Sequence, residues 1–211
     1  VASFLESEGY RVLSFADGEG LLEAFNAQPA DLVILDIMMP GLDGFQVCKR
    51  LRQFSTVPVI MLTARDSDLD YATGINLGSD DYFTKPFSAM ALVMRVKAIL
   101  RRVAYEKQPK EAGPGKRFSC GDILIEEHER QTYIAGQPVD LTPNEYALLA
   151  FLMEHKDRAV SRDELLDQVW GYDSDVETRA ADDTVRRLRK KISASTVAIE
   201  DRKSTRLNSS H

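Results

Sequence analysis

Residues 32–36, Leu-Val-Ile-Leu-Asp, constrain this chain more than any other segment, because four consecutive apolar residues end in a carboxylate. A strand that is apolar at every position must be covered on both faces, and parallel sheets flanked by helices provide that cover. The segment is expected at the centre of such a sheet. Residues 10–15, 57–64 and 81–83 are further β-rich runs, separated by segments with helical periodicity, which is the pattern of βα units. Residues 88–102 carry Leu92, Val96 and Ile99 at helical spacing, continued by Val103, and are expected to close a first α/β domain at residue 102.

The composition then changes. Residues 103–117 include two prolines, two glycines and mixed charge, with little to bury, and read as a linker. Residues 118–141 read as short antiparallel strands with turns near 127–129 and 135–137. Three helices are expected next. Thr142-Pro143-Asn144-Glu145 is a capping box with proline in the first turn, and Ser161-Arg162-Asp163-Glu164 is a second capping box. The third helix is expected over 178–192. This second domain, 118–200, reads as α+β: a small sheet followed by three helices, the last of them basic. Residues 201–211 hold one apolar residue and no period, and read as a disordered or non-native tail. Residues 1–8 resemble the second half of a helix, so a strand is expected to be missing ahead of it.

With 44% hydrophobic and 28% charged residues the chain should fold rather than stay disordered. No apolar run reaches the roughly 18 residues of a membrane span, and no secretory leader is visible. Cys48 and Cys120 stand alone, without metal spacing, which suits a reducing cytoplasm better than a disulfide framework. A net charge of −6 argues against wholesale coating of nucleic acid but leaves room for a local basic face.

Chemistry is expected where ligands of open α/β sheets sit, outside the carboxyl ends of the strands. Asp36 ends one strand, Thr63 another, and Lys85 a third. A carboxylate can act as a nucleophile toward phosphorus, an ammonium offsets phosphoryl charge, and a hydroxyl binds a phosphoryl oxygen. Such chemistry calls for Mg²⁺. The blocks LVILDIMMPGLDG, VIMLTAR and GSDDYFTKPF resemble the receiver domain of two-component response regulators, which has a flavodoxin-like (CheY-like) fold. The resemblance implies that Asp36 is the phosphoacceptor, Thr63 and Lys85 sense the phosphoryl group, and Tyr82 is a switch aromatic. It also implies that Mg²⁺ is held by Asp36 and the Met38 backbone carbonyl, together with an acidic pair on a first strand absent from this sequence.

VDLTPNEYALLAFL, SRDELLDQVWG and ETRAADDTVRRLRKKI are similar to the winged-helix DNA-binding domain of the OmpR/PhoB subfamily, although nothing after Ile192 reads as its terminal hairpin, the wing. Thr142, Leu148, Leu149, Trp170 and Leu188 read as caps and core. In the third helix Ala181, Val185, Leu188 and Ile192 form one apolar stripe. Arg179, Asp183, Arg186, Arg187 and Lys190 are expected on the opposite face, toward double-stranded DNA. The resemblance further implies a sensor histidine kinase and RNA polymerase as partners. It also implies a homodimer formed on phosphorylation, through a helix near 69–77, the strand at Tyr82 and the helix 88–102, with Asp80, Asp81, Arg95, Arg101 and Arg102 supplying charges.

The function so implied is that of a phosphorylation-controlled, sequence-specific transcriptional regulator, cytoplasmic and not an enzyme. A phosphatase on the same sheet would want a second carboxylate two residues after Asp36, where Met38 stands. A phosphorylation-independent DNA-binding or scaffold protein is the alternative.

Overall fold

A computed structural model of the chain describes residues 1–64, 78–107, 117–126, 131–172, 180–201 and 205–209. The chain divides into two compact units, Val1–Ala104 and Tyr105–His211.

The first unit contains α1 (Ala2–Ser7), α2 (Gly18–Ala27), β1 (Val33–Asp36), α3 (Gly44–Leu51), β2 (Val59–Ala64), β3 (Asp81–Lys85) and α4 (Ala89–Lys107). The three strands form a parallel sheet in the order β1-β2-β3. Alternate strand residues feed two cores. Val33, Leu35, Val59 and Met61 pack with Leu22 and Phe25 of α2 and Val47, Cys48 and Leu51 of α3. Ile60, Leu62 and Phe83 pack on the other face with Leu5 of α1 and Leu92, Val96, Ile99 and Val103 of α4. Three layers follow directly from this division, and burying large aliphatic side chains at roughly 25 cal/mol per Å² of apolar area holds them together.

Three expectations change here. The segment 32–36 was expected at the centre of the sheet, but β1 is an edge of the described three strands. Residues 10–15 form no ladder, and Tyr10 and Val12 pack against the α4 core. β-propensity creates a strand only where a neighbour accepts its hydrogen bonds, and none of the described strands lies beside this segment. Helix α4 also runs five residues past the expected boundary at 102, to Lys107, because Val103 continues its apolar stripe into the core.

The second unit opens with a four-stranded antiparallel meander, β4 (Arg117–Cys120), β5 (Ile123–Glu126), β6 (Gln131–Ile134) and β7 (Gln137–Val139). Strands β6 and β7 are joined through Ala135 and Gly136, both at positive φ (49° and 76°), the twist a two-residue hairpin turn requires. Helix α5 (Pro143–Glu154) begins at the expected capping box: Thr142 accepts from the Glu145 backbone N–H at 3.4 Å, and the Thr142 N–H donates to Glu145 Oε2 at 2.9 Å. Helix α6 (Arg162–Leu165) is capped by Ser161 and passes into a π-helical turn, Leu166–Trp170, that ends at Gly171 in the left-handed region. Helix α7 is Ala180–Lys191; the expected start at 178 falls outside the described residues. Leu148, Leu149, Trp170 and Leu188 are fully buried, as expected for core.

At the C-terminus the structure departs from the aperiodic tail. β8 (Val197–Asp201) pairs antiparallel with β9 (Thr205–Ser209), so a hairpin does follow Ile192. Val197 and Ile199 alternate into the core while Ala198 faces out. This period-two signal is only three residues long, too short to register as a strand in sequence.

Candidate functional site

The register of the parallel sheet builds the first site. Asp36 lies beside Leu62, and Ala64 beside Lys85, so the carboxyl ends of β1, β2 and β3 meet at one edge. Lys85 crosses this edge to form an ion pair with Asp36 Oδ2. Asp36 Oδ1 accepts the Met38 backbone N–H at 3.1 Å, which fixes the carboxylate at the start of the following loop. Both side chains keep about a third or more of their surface in solvent, 35% for Asp36 and 41% for Lys85, so an incoming group can reach them.

The loop is held short by Gly44, the first residue of α3. Its N–H donates to Ile37 O at 3.1 Å, and a Cβ at this position would stand 2.4 Å from the Asp36 carbonyl oxygen. The helix thus begins almost in contact with the strand that carries Asp36. Asp43 caps α3 through a capping box with Gln46.

Thr63, one residue before the end of β2, is 8% exposed, with its hydroxyl donating to the Ala64 carbonyl at 3.2 Å rather than to Asp36. Tyr82 is half-buried and packs against the α2/α3 core. Met38 is 79% exposed beside the carboxylate. The structure therefore brings Asp36 and Lys85 together, with Thr63 near the same edge.

Receiver domains in general take up Mg²⁺ for phosphorylation. Among the described residues no three Asp, Glu, His or Cys side chains converge as a cation site. Asp36 with the Met38 carbonyl is a smaller donor set than the ion takes, so the residues present do not by themselves fit it.

Of the charges expected at a dimer interface, Asp80, Asp81 and Arg95 form pairs within the chain. Asp80 and Asp81 are each 1% exposed. Asp80 Oδ2 accepts Arg52 Nη2 at 3.0 Å and the Val59 N–H at 2.9 Å, while Arg52 also donates to the carbonyls of Gly78 and Val57. Asp81 pairs with Arg95 at 2.5 Å, and the Arg95 guanidinium lies 4.8 Å from the centre of the Phe83 ring. Carboxylates at the entry to a buried strand are desolvated and recruit the nearest cations of their own fold. Arg101 is exposed and Arg102 half-buried; the helix expected near 69–77 lies outside the described residues.

In the second unit the apolar stripe of α7 is as expected: Ala181, Val185, Leu188 and Ile192 are 5% exposed or less. Arg186 and Lys190 are exposed. Arg187 and Asp183, expected on the same outer face, are buried at 8% and 5%. At about 100° per residue Arg186 and Arg187 stand about equally far from the stripe, on opposite flanks. Helix α5 covers the Arg187 flank, where Arg187 Nε donates to Glu145 Oε1 at 3.1 Å. Arg179 lies outside the described residues.

The sequence pattern marks Glu145 as a cap and leaves its second role unseen. Lys191 Nζ donates to Glu145 Oε2 at 2.6 Å and to the Asp140 carbonyl at 2.7 Å. Burial alone would raise the Glu145 carboxyl pKa. Arg187 and Lys191, with hydrogen bonds from Lys191 and the Thr142 backbone, more than reverse this and hold it below its ordinary value. The available signal was the spacing of Arg187 and Lys191, one helical turn apart.

A parallel-sheet unit with a carboxylate–ammonium pair at its carboxyl edge, followed by a separate sheet-and-helix unit with a basic last helix, is the architecture of a two-module response regulator. Residues 1–97 match the family model described as response regulator receiver domain, and residues 136–204 match that described as transcriptional regulatory protein, C terminal. The chain belongs to the OmpR/PhoB family of two-component response regulators. It is 41% identical to sensory transduction protein RegX3 of Mycolicibacterium smegmatis over 91% of this chain and 83% of that one. It is 42% identical to the alkaline phosphatase synthesis transcriptional regulatory protein PhoP of Bacillus subtilis, over 91% of this chain and 82% of that one. A solved structure of a RitR mutant shares the fold, with a TM-score of 0.73 at 23% identity, covering 99% of this chain and 92% of that one. Membership implies a sensor kinase partner and DNA binding. Among the described residues no helix is long and apolar enough to cross a membrane.

Proposed function

We propose that Asp36 is the phosphoacceptor of this transcriptional regulator, and the observation that carries the reading is its pairing with Lys85 across the carboxyl edge of the sheet. An Asp36 carboxylate oxygen attacks the phosphorus of a phosphohistidine on the sensor kinase. The new O–P bond forms as the N–P bond breaks, and the imidazole leaves with the electron pair. Lys85 stays beside the transferred group and offsets its charge. Thr63 turns its hydroxyl from the Ala64 carbonyl to a phosphoryl oxygen, and Tyr82 follows as the switch. Of a Mg²⁺ site, the described residues would contribute only Asp36 and the Met38 carbonyl, and an ion bound there would offset phosphoryl charge. The chain turns over no substrate besides its own phosphoryl group. It works in the cytoplasm, dimerises on phosphorylation and addresses RNA polymerase once on DNA. Asp80, Asp81, Arg95 and Arg102 are its proposed interface charges, the first three of them also paired within the chain.

In the full-length protein, a small phosphodonor with Mg²⁺ should add one phosphoryl mass, and Asp36→Ala should remove it. Labelling that survives the substitution would refute the assignment.

Helix α7 is the proposed recognition element, presenting Arg186 and Lys190 to double-stranded DNA. Replacing Arg186 and Lys190 together by alanine should reduce the slope of log affinity against log salt by about one unit for each phosphate no longer neutralised. An unchanged slope with unchanged affinity would remove both residues from the interface.

A further inference from the structure

The basic face of α7 is useful only if the helix is held at one rotation about its own axis. Two side chains one turn apart, Arg187 and Lys191, converge on a single buried carboxylate, that of Glu145, at 3.1 and 2.6 Å. Glu145 is itself immobilised, because it closes the capping box of α5 on the Thr142 N–H. The remaining hydrogen bonds extend the network to both ends of α7. Arg187 Nη2 donates to Thr184 Oγ1 at 3.1 Å, and that hydroxyl donates to the Ala180 carbonyl at 2.7 Å in the first turn. In the last turn Lys191 also ties to the Asp140 carbonyl, in the chain entering α5. The buried apolar stripe sets which face of α7 meets the core, and two polar anchors a turn apart on one acceptor add directional constraints that narrow its rotation and axial register. Arg186 and Lys190 each immediately precede an anchor, about 100° around the helix, so the same constraint aims them outward.

We propose that Glu145 is a positioning residue for sequence discrimination: by clamping Arg187 and Lys191 it sets which base edges the exposed flank of α7 can reach. This rests on the reading of α7 as the recognition element. Base readout needs donors placed to within hydrogen-bond tolerance, whereas phosphate attraction is tolerant of small rotations. Loosening the clamp therefore erodes discrimination while sparing general affinity.

The test uses the full-length protein and a duplex that the wild type selects from a random-sequence pool, against an unrelated duplex of equal length. Glu145→Gln keeps the shape of the acceptor and weakens the clamp. Lys191→Met keeps the apolar stem of a side chain that is 34% exposed, and it remains available should Glu145→Gln fail to fold. In protein shown to be folded by its melting curve, either variant should lower the ratio of selected to unrelated affinity by about tenfold, with unrelated binding nearly unchanged. A parallel loss on both duplexes would make Lys191 a phosphate contact and Glu145 a stability residue, and an unaltered ratio would make the clamp irrelevant; each overturns the proposal. A wild type that selects no sequence would instead refute α7 as a base reader, which is a separate failure.

Discussion

Replacing Arg187 by alanine is expected to destabilise the C-terminal unit by about 3–5 kcal/mol, the usual cost of removing one partner of a buried ion pair. The side chains concerned are 8% and 1% exposed, so solvent does little to replace the missing guanidinium. Arg186→Ala, one residue away but exposed, should stay within about 0.5 kcal/mol of the wild type. Denaturant unfolding of the two variants checks the contrast, and equal midpoints would contradict the burial assigned to Arg187. The acid limb gives a second measure. Because the folded-state pKa of Glu145 is depressed, its contribution is complete above the ordinary value of 4.5 and is lost as pH falls through the lower folded value. Without Arg187 the burial of Glu145 has less opposing it, so acid unfolding of the variant should begin at higher pH. A limb that stays in place would mean that Lys191 alone holds the carboxylate ionised.

Gly44→Ala should impair phosphoryl uptake at a residue that carries no reactive group. The added methyl would meet the Asp36 carbonyl oxygen at 2.4 Å and backbone carbon atoms of Asp36 and Ile37 at 3.0 Å, and main chain in a packed strand cannot step aside cheaply. Overpacking of this kind costs about 1–3 kcal/mol. The chemical effect should be larger than the stability effect suggests, since displacing a reacting group by about 1 Å can cost about a hundredfold in rate. Phosphodonor labelling of the folded variant, followed by mass over time, gives the answer; wild-type kinetics would show that α3 can retreat without moving Asp36.

The reach of the sequence differs between the two units for a physical reason. Asp36 and Lys85 end β1 and β3, Thr63 stands one residue before the end of β2, and parallel strands in register bring their carboxyl ends together, so that edge was legible from the residues. The apolar stripe of α7 was legible for the same kind of reason, as a periodic pattern that dictates its own burial. Arg187 was not. A stripe says which side of a helix faces the core, but Arg186 and Arg187 flank it symmetrically, and only the approach of α5 decides which of them is covered. Asp80 and Asp81 mislead similarly: charge beside a strand reads as surface until Arg52 and Arg95 are placed beside it. Residues 10–15 have the composition of a strand, yet a ladder depends on a partner that composition cannot supply.

The clamp on Glu145 separates what must stay the same from what is free to vary. The start of α5, the rotation of α7 and a buried charge all depend on one carboxylate, so a change there disturbs three things at once and is hard to accept alone. Arg186 and Lys190 carry no such burden. A lineage that duplicates such a regulator can rewrite the outer flank of α7 one residue at a time, acquiring a new target while the mounting that holds the helix remains intact. The same division offers an engineer a short list of positions to randomise.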